Sequence, residues 1–507
     1  MNDAEKIAAL LDENRQQAIA IKQMEAQINL LYAKIYGSKS EALDPGQLYF
    51  DSVGESSAVK AEKDPEASTT KKSKSKAKGH GRAVFPDHLE RELVELELSE
   101  CERSCQACGE HMRDIGVDVS ERGELIPARV IVKQYRRHRY ACPNGHSIVT
   151  APAAPGVIER AKNEASVYAH IATKKYADHM PLSRLEGIFK RQGFRIPKQT
   201  MWDMVKRTAE LMTPIYEVMK AEVLASKYIK ADETTLKVAI NNRKNLQTGF
   251  LWAYRGKDKV VYDFTLTRVA AGPTAFLAKF SGLLQADGYS GYNEICAKNG
   301  ITRAGCWAHA RRKFVEALPS FKVPASLALI QINRLFRIEA LLRERRAQDQ
   351  LADEAFFELR KEIRLRFSRR VLARLLKTVG DMERRGLATD GNLLGKAVTY
   401  IANQKKLLEA FLLEPVFEID NNEVERDMKH IAVGRKNWNF AGSEAGAAAG
   451  ATIFSIVASC KAMEIDPEAY LADVLPRLET TPVSELGVLT PWGWANAEKS
   501  EALDSES

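Results

Sequence analysis

The chain has 507 residues, of which 45% are apolar and 28% are charged, with 30 glycines and 18 prolines. These values exclude a fibrous or low-complexity protein and a single small binding module, and predict three or four domains of about 150 residues each. The formal charge is +8, and the stretch KKSKSKAKGHGR at 71–82 supplies most of that excess.

Neither a membrane span nor an export signal is predicted. The longest uncharged run near the C-terminal end, 445–460, is rich in Ala, Gly and Ser and is shorter than the roughly 20 strongly apolar residues that a span needs. The start, MNDAEK, carries acidic residues where a signal peptide carries a basic residue and an apolar core. We therefore expect a cytoplasmic protein whose 7 cysteines are thiols or metal ligands.

Residues 1–37 carry a heptad repeat with mostly isoleucine at one core position and a single asparagine among them. The residues at the a positions are Ile7, Asn14, Ile21, Ile28 and Ile35. This pattern is typical of a parallel coiled coil in fixed register, so it predicts a homodimer or a higher assembly. A helix packed on its own domain is the alternative.

Residues 38–97 are predicted to be a linker, since 54–82 are rich in Ser, Lys, Glu and Ala without periodicity. Its basic half includes Lys71, Lys72 and Lys74. These lysines either solubilise the spacer or bind the DNA backbone without sequence preference, in a way that weakens as salt rises.

Residues 98–150 contain a pattern typical of a zinc ribbon. The predicted Zn²⁺ ligands are Cys105, Cys108, Cys142 and His146. Zinc takes four tetrahedral nitrogen or sulfur ligands, and a Cys-x2-Cys knuckle supplies two of them from one turn. Cys101 and His111 are alternative ligands, and reduced thiols in a small core are the alternative to a metal.

Residues 151–225 are predicted to be helical and to contain a helix-turn-helix. A helix at 183–191 is followed by a turn at Gly193 and by a second helix from Lys198. Lys190, Arg191 and Lys198 lie near the turn and are predicted to contact DNA, so the hairpin is a candidate DNA-binding element. A structural helical hairpin is the alternative.

Residues 226–310 change to a strand pattern, with YIKADETTLKVAI, TGFLWAYR and KVVYDFTL separated by short turns. They predict a three-stranded meander, followed by a helix at 272–280 and a strand in GLLQADG. Residues 311–415 have apolar residues at helical spacing. The segments 416–460 and 461–507 complete the chain.

Two acids are predicted to meet at one edge of this sheet. Asp232 ends the strand segment YIKAD and Asp287 ends GLLQAD. Carboxylates suit Mg²⁺, which prefers oxygen ligands, although strand-end acids are also common turn residues. The candidates for a third acid are Asp420, Glu423, Glu425 and Asp427, and composition does not choose among them.

Four segments resemble the larger, TnpC-type transposase of the insertion sequence 66 family. They are ADETTLKV at 231–238, LQADGYSGYN at 284–293, GCWAHARRKF at 305–314 and DNNEVERDMKHIAVGRKNWNFAGS at 420–443. The resemblance extends over nearly the whole chain, from YGSKSE near the N-terminus to LTPWGWA near the C-terminus.

The resemblance implies a multidomain α/β protein with a ribonuclease-H-like catalytic core and a helical insertion at 311–415. Asp232, Asp287 and Glu425 match the family's DDE triad and would hold Mg²⁺ or Mn²⁺. The implied activity is 3′-end cleavage at terminal inverted repeats followed by strand transfer into target DNA. Accessory proteins from the same element are possible partners. A non-catalytic zinc-containing DNA-binding protein and a metal-dependent nuclease are the competing functions.

Basic residues around the triad are predicted to contact DNA, with solvated surface charge as the alternative. They are His309, Arg311, Arg312, Arg426, Arg435 and Lys436. The zinc segment departs from the family pattern, since Gly145 stands where a fourth cysteine is expected. The fourth ligand is then His146, with Cys101 or His111 in its place, or no metal at all, as the alternatives.

Overall fold

The computed structural model describes residues 129–141, 148–151, 157, 161–240 and 245–497. The chain divides into two compact units, 58–134 and the remainder, and the elements below all belong to the second unit. The predicted coiled coil therefore lies outside the described residues. So do the three linker lysines and the four zinc ligands, namely Lys71, Lys72, Lys74, Cys105, Cys108, Cys142 and His146.

Three helices follow a short antiparallel ribbon. The ribbon strands are β1 (Arg139–Ala141) and β2 (Ile148–Thr150), and the helices are α1 (Ala165–Tyr176), α2 (Leu182–Arg191) and α3 (Lys198–Leu224). Gly193 has a φ of +79° in the α2–α3 turn, a backbone conformation that glycine adopts without steric cost. The helix, glycine turn and helix that the sequence predicts are confirmed.

A five-stranded mixed sheet forms the centre of the described unit. Its strands are β3 (Tyr228–Ile240), β4 (Asn245–Gly256), β5 (Lys259–Thr265), β6 (Leu283–Gln285) and β7 (Thr302–Ala304), in the order β5-β4-β3-β6-β7. The first three strands form the predicted antiparallel meander, and β6 and β7 run parallel to β3. The sequence analysis missed β7 because three residues are too few to show an alternating pattern.

Short helices connect the strands of the sheet. They are α4 (Ala271–Phe276), a 3₁₀ turn (Ser290–Tyr292) and α5 (Asn293–Asn299). Tyr254 of β4 stacks on Phe276 of α4, with ring centroids 3.7 Å apart. This ring pair joins α4 to the sheet.

A helical segment follows β7, as the apolar spacing predicts. Its helices are α6 (Trp307–Ala317), α7 (Lys322–Gln348), α8 (Asp353–Ile363), α9 (Arg369–Arg384) and α10 (Leu393–Glu409), with a π-helical segment (Arg364–Ser368) joining α8 to α9 and a 3₁₀ turn (Ala410–Leu412) after α10. Their buried leucines, isoleucines and alanines form one hydrophobic cluster that also includes Trp307. The cluster also contains Ala304 of β7, and Tyr228 and Leu283 pack against it, so the segment shares this core with the sheet.

The last helices return to the sheet. They are α11 (Asn422–Trp438), α12 (Glu444–Ala462) and α13 (Pro467–Arg477), followed by a 3₁₀ turn (Val483–Leu489). By length and composition α12 could cross a membrane, and among the described helices it alone passes that test. However, 67% of its apolar window is buried, and it packs along β5 and α3. Its composition is thus explained by a core position.

Helix α12 also closes the outer edge of the sheet. The hydroxyl of Ser455 accepts a hydrogen bond from the Tyr262 amide at 2.8 Å, and the hydroxyl of Ser459 donates to the Val260 carbonyl at 2.9 Å. An unpaired edge strand is a template for pairing with another chain. Two serines one helical turn apart here supply the partners that a sixth strand would otherwise provide.

Candidate active site

Asp232 lies inside β3, eight residues before its end at Ile240. The expectation that it ends a strand was wrong. The residues after it, TTLKVAI, are rich in β-branched and apolar side chains, and they continue to pair with β4 as far as Ile240. What ends near Asp232 is the pairing with β6, which stops at Lys230.

The end of that pairing leaves the edge of β3 open to other groups. The Asp232 carboxylate accepts a hydrogen bond from the amide of Glu233 at 2.9 Å. Further along the same strand, Ala441 donates to the carbonyl of Lys237 and accepts from the amide of Ala239, both at 2.8 Å. Side chains and irregular backbone thus satisfy the edge groups that a neighbouring strand would otherwise pair.

Asp287 follows β6, as the sequence predicts, in a loop that Arg303 organises. The buried guanidinium of Arg303 donates to the carbonyls of Asp287 and Tyr289, the latter at 2.8 Å. The Asp287 carboxylate itself accepts from the amide of Tyr289 at 2.8 Å. Because its local turn is fixed by these bonds, the carboxylate is held at the end of β6 next to the open edge of β3.

The segment before α11 is attached directly to the central strands. The Gln285 side chain donates to the carbonyl of Glu418 at 2.8 Å, and the amide of Glu418 donates to the hydroxyl of Tyr228 at 3.3 Å. Three residues later, the Asn421 carboxamide donates to the carbonyl of Ala231 at 2.8 Å. These bonds set where α11 begins relative to Asp232.

Two basic residues of the sheet anchor the first turns of α11. Lys230 pairs with Glu423 at 2.7 Å, and Arg255 pairs with Asp427 at 2.9 Å. Lys230 and Arg255 face each other across the β3–β4 ladder. Glu423 and Asp427 are therefore engaged in holding the helix, whereas Glu425, the other acid of its first turn, pairs with neither of these two basic residues.

The electrostatics of Asp232 show that the acids are near one another. Burial raises the pKa of Asp232 well above its ordinary value, and the negative charges of Glu233, Asp287 and Glu425 raise it further. Carboxylates that repel in this way bind a cation readily, because the cation removes both the repulsion and the desolvation cost.

Glu425 has a second set of neighbours on α6. Its Oε2 lies 3.5 Å from the Arg312 guanidinium, and its Oε1 lies 3.6 Å from Nδ1 of His309. That carboxylate oxygen and that ring nitrogen are both buried without a hydrogen-bond partner among the described residues. Cys306, His309 and Glu425 have ligand atoms within 4.8 Å of one another. Among the described residues these three form a group that could hold a metal ion, and Asp232 and Asp287 lie outside it.

A buried charge cluster anchors the helical segment to the chain that leads into α11. Glu339 of α7 pairs with Arg360 and Arg364, and all three side chains are at most 1% exposed. Arg364 also donates to the carbonyls of Phe411 and Phe417, at 2.7 and 2.8 Å. The segment before α11 is thus held from two sides, by the sheet and by these arginines.

The predicted DNA-contacting residues fall into two groups. Lys190, Arg191 and Lys198 of the helical hairpin, and Arg426 and Lys436 of α11, are exposed. The others make contacts within the protein: Arg311 donates to Asn333, Arg312 and His309 lie beside Glu425, and Arg435 donates to the Thr235 carbonyl. Trp307 is buried, as a core tryptophan is expected to be.

Sequence reasoning missed Glu233 and Cys306. Glu233 is next to Asp232, pairs with Arg268 and has a pKa that burial raises. Cys306 is fully buried and accepts a hydrogen bond from the Asn421 amide at 3.3 Å. Both stand inside segments that carry the family resemblance, ADETTLKV and GCWAHARRKF, so position next to a motif residue was the available signal.

Comparisons with known families agree with these motifs. The model described as "Transposase IS66 family" matches residues 161–449, and the "IS66 C-terminal element" matches 455–492. The "zinc-finger binding domain of transposase IS66" matches 102–144, a range that contains the three predicted cysteine ligands and ends before His146. The model described as "Transposase C of IS166 homeodomain" matches 23–94.

Similar proteins come from Sinorhizobium fredii. The "Uncharacterized protein y4jD" is 31% identical over 505 residues, which cover 94% of this chain and 96% of the relative. The "Uncharacterized protein y4qI" is 32% identical over 433 residues, covering 82% of this chain and 77% of the relative. With the family match over more than half of its length, the chain belongs to the IS66 transposase family.

Proposed function

We propose that this protein is a DDE transposase that binds the terminal inverted repeats of its insertion sequence, cleaves DNA at the 3′ ends and joins those ends to target DNA. The observation that carries this proposal is the convergence of Asp232, Asp287 and Glu425. They come from β3, from the loop after β6 and from the first turn of α11, and the charges of the other two raise the pKa of Asp232.

The strand order supports a ribonuclease-H-like core. An antiparallel meander continues into two strands parallel to its first strand, and a helix bearing the third acid packs against β3. The helices α6–α10 stand between the second and third acids, in the position of the predicted insertion. We propose that these parts form a split catalytic core, at 226–310 and 416–460, with the insertion at 311–415.

The acids fit a divalent cation. Asp232 is crowded by three further carboxylates, and one oxygen of Glu425 is buried without a hydrogen-bond partner among the described residues. Asp232, Asp287 and Glu425 would hold Mg²⁺ or Mn²⁺. Such a cation would activate the attacking oxygen and neutralise charge on the scissile phosphate.

The protein's own residues would position the DNA strand. We assign His309 and Arg312 to the scissile phosphate, because both adjoin Glu425 and Arg312 carries a permanent charge. Asn421 and Gln285 keep the carboxylates in register, since their side chains join the segment before α11 to the central strands. Positioning and charge neutralisation account for most of the catalysis in phosphoryl transfer.

We extend the proposal to the segments outside the catalytic core. The cysteines at 105, 108 and 142 with His146 would hold Zn²⁺, the α2–α3 hairpin would read the repeats, and the N-terminal heptads would bring two copies together. The basic linker would add affinity without sequence preference. We expect such a protein to act in the bacterial cytoplasm, with or without accessory proteins.

The test uses purified protein, labelled DNA with candidate element ends, and Mg²⁺. We expect cleaved and joined products from the wild-type protein, and a loss of at least about a hundredfold in Asp232→Asn, Asp287→Asn and Glu425→Gln. The matched control is Glu423→Gln, in the same turn of α11, because the glutamine amide oxygen can still accept the hydrogen bond that Lys230 donates and so keeps the helix anchored. It should retain joining.

Other outcomes would decide between the competing functions. Nicks without joined products would indicate a nuclease. Binding without cutting, with Mn²⁺ and accessory proteins also supplied, would indicate a non-catalytic DNA-binding protein. Equal loss in Glu423→Gln and Glu425→Gln would refute the assignment of the third acid.

A further inference from the structure

A row of exposed cations runs along the helical segment far from the triad in sequence. Arg366 lies in the π-helical segment, and Arg370, Arg374 and Lys377 follow it on α9. All four side chains are exposed. Their spacing of four, four and three residues places them on one face of the helix, and we refer to them as the α9 stripe.

The stripe is not a set of ion pairs on a mixed surface. No acidic residue occurs between Glu362 and Asp381. Within the described part of the chain, none of the four cations lies within 4.0 Å of a carboxylate. By contrast, other exposed arginines of the helical segment are paired, such as Arg345 of α7 with Asp349 and Arg384 of α9 with Asp381.

The opposite face of α9 explains why the stripe points outward. Leu372, Leu375 and Val379 are buried in the hydrophobic cluster of the helical segment. Helices of this kind need one apolar face only, and their solvent face ordinarily mixes both signs of charge. A solvent face with cations alone repels itself unless an anion binds to it.

The end of the stripe also exposes apolar surface. Phe367 is 43% exposed and Leu365 is 36% exposed in the π-helical segment, and the Arg366 guanidinium lies 5.3 Å from the Phe367 ring. Residues on π-helical segments are often functional. A cation next to an exposed ring suits a surface that carries both phosphate and sugar or base.

We infer that the α9 stripe binds the phosphate backbone of DNA, as a surface separate from the α2–α3 hairpin and the triad. The stripe spans 12 residues, with about 16 Å of helix axis between its two ends. A B-DNA duplex carries about ten phosphate charges over that length, so each cation can reach a phosphate. The contact reads no sequence, because phosphates are the same at every base pair. The inference rests on the proposed function, since it supposes that DNA is the partner.

The test measures how affinity for a labelled duplex of arbitrary sequence depends on salt, using fluorescence anisotropy. The test variant carries Arg370→Gln, Arg374→Gln and Lys377→Gln. The control variant loses the same charge at three exposed but ion-paired positions. Those substitutions are Arg337→Gln, Arg345→Gln and Arg477→Gln, whose partners are Glu344, Asp349 and Asp473.

Losing three phosphate contacts should make the plot of log affinity against log salt less steep, by about 2.7. Between about 50 and 200 mM salt, the wild-type affinity should therefore fall about 40-fold more than the affinity of the test variant. The control variant should keep the wild-type slope. Circular dichroism and thermal unfolding should be unchanged in both variants, because all six positions are exposed.

Two results would overturn the inference, and they are distinguishable. If the wild-type protein binds DNA and the test and control variants have equal slopes, the α9 stripe does not bind DNA, and the proposed function stands. If the wild-type protein binds no DNA at any salt concentration, both the stripe and the proposed function are wrong.

Discussion

Substitution of Arg364 tests whether its ion pair or its hydrogen bonds to backbone carbonyls hold the segment before α11. Its guanidinium pairs with Glu339 at 2.7 Å and donates to the carbonyls of Phe411, Glu414 and Phe417, at 2.7, 3.3 and 2.8 Å. In Arg364→Met both oxygens of the Glu339 carboxylate and three backbone oxygens lose a donor, and only Oε2 of Glu339 keeps another one, from Arg360. Breaking a buried ion pair by removing one partner costs about 3–5 kcal/mol, and we expect a loss of this size in urea unfolding followed by circular dichroism.

The double variant Glu339→Leu/Arg364→Met tests which partner matters. If the charge pair alone stabilised the fold, removing both charges would restore nearly wild-type stability, as is seen when buried ion pairs are replaced by apolar residues. Here the carbonyls stay unpaired, at about 1 kcal/mol or more each, so the double variant should remain about 3 kcal/mol less stable than the wild type. Arg360 keeps Glu418 as its partner in this background.

A double variant within about 1 kcal/mol of the wild type would refute this reasoning. It would mean that the three carbonyls form hydrogen bonds with water or shift to other donors, and that Arg364 does not hold the segment before α11. DNA joining gives an independent reading, because a loosened segment displaces Glu425. We expect the double variant to lose joining activity at temperatures where it is still folded.

Three further predictions concern single positions. Burial, and to a smaller extent nearby positive groups, lowers the pKa of His430 from 6.5 to about 4. Between these pH values the unfolded chain binds a proton at this histidine and the folded chain does not, so the folded state loses stability as the pH falls. The thermal midpoint should therefore decrease from pH 6.5 to about pH 4, and it should decrease less in His430→Gln. In Gly395→Ala the new Cβ would lie 1.8 Å from a backbone oxygen, so we expect a loss of about 1–3 kcal/mol or more in urea unfolding, and wild-type stability would refute the clash. Asn421→Ala removes the donor to a strand carbonyl and should cost about 1–3 kcal/mol with a loss of DNA joining, whereas Asn422→Ala, at an exposed position, should change neither.

The meander, the helical hairpin and the helical segment could be predicted from the sequence because each depends on local periodicity. The position of Asp287 directly after β6 was also accessible, since the strand segment GLLQAD ends there, whereas Glu425 was selected among four acids only by the family resemblance. Asp232 was misplaced for a physical reason: its own strand continues, and what ends is the pairing partner β6. A strand's partner is not encoded in the strand's own pattern.

Contacts between distant residues could not be predicted. Gln285 and Glu418, which join the sheet to the segment before α11, are 133 residues apart. The buried arginines Arg360 and Arg364 contradict the usual preference of arginine for the surface, and nothing in their local sequence marks them as different from Arg366. Burial of a charge is decided by its partners, which come from other helices.

The two serines of α12 have a consequence for how the fold opens. Amides on the outer edge of a sheet ordinarily exchange their hydrogens quickly, because no neighbouring strand protects them. The amides of Val260 and Tyr262 instead donate to Ser459 and Ser455, so they become exchangeable only when α12 leaves β5. Their exchange rates therefore report the free energy of undocking the last helices, and they give a residue-level probe of whether that step precedes unfolding of the sheet.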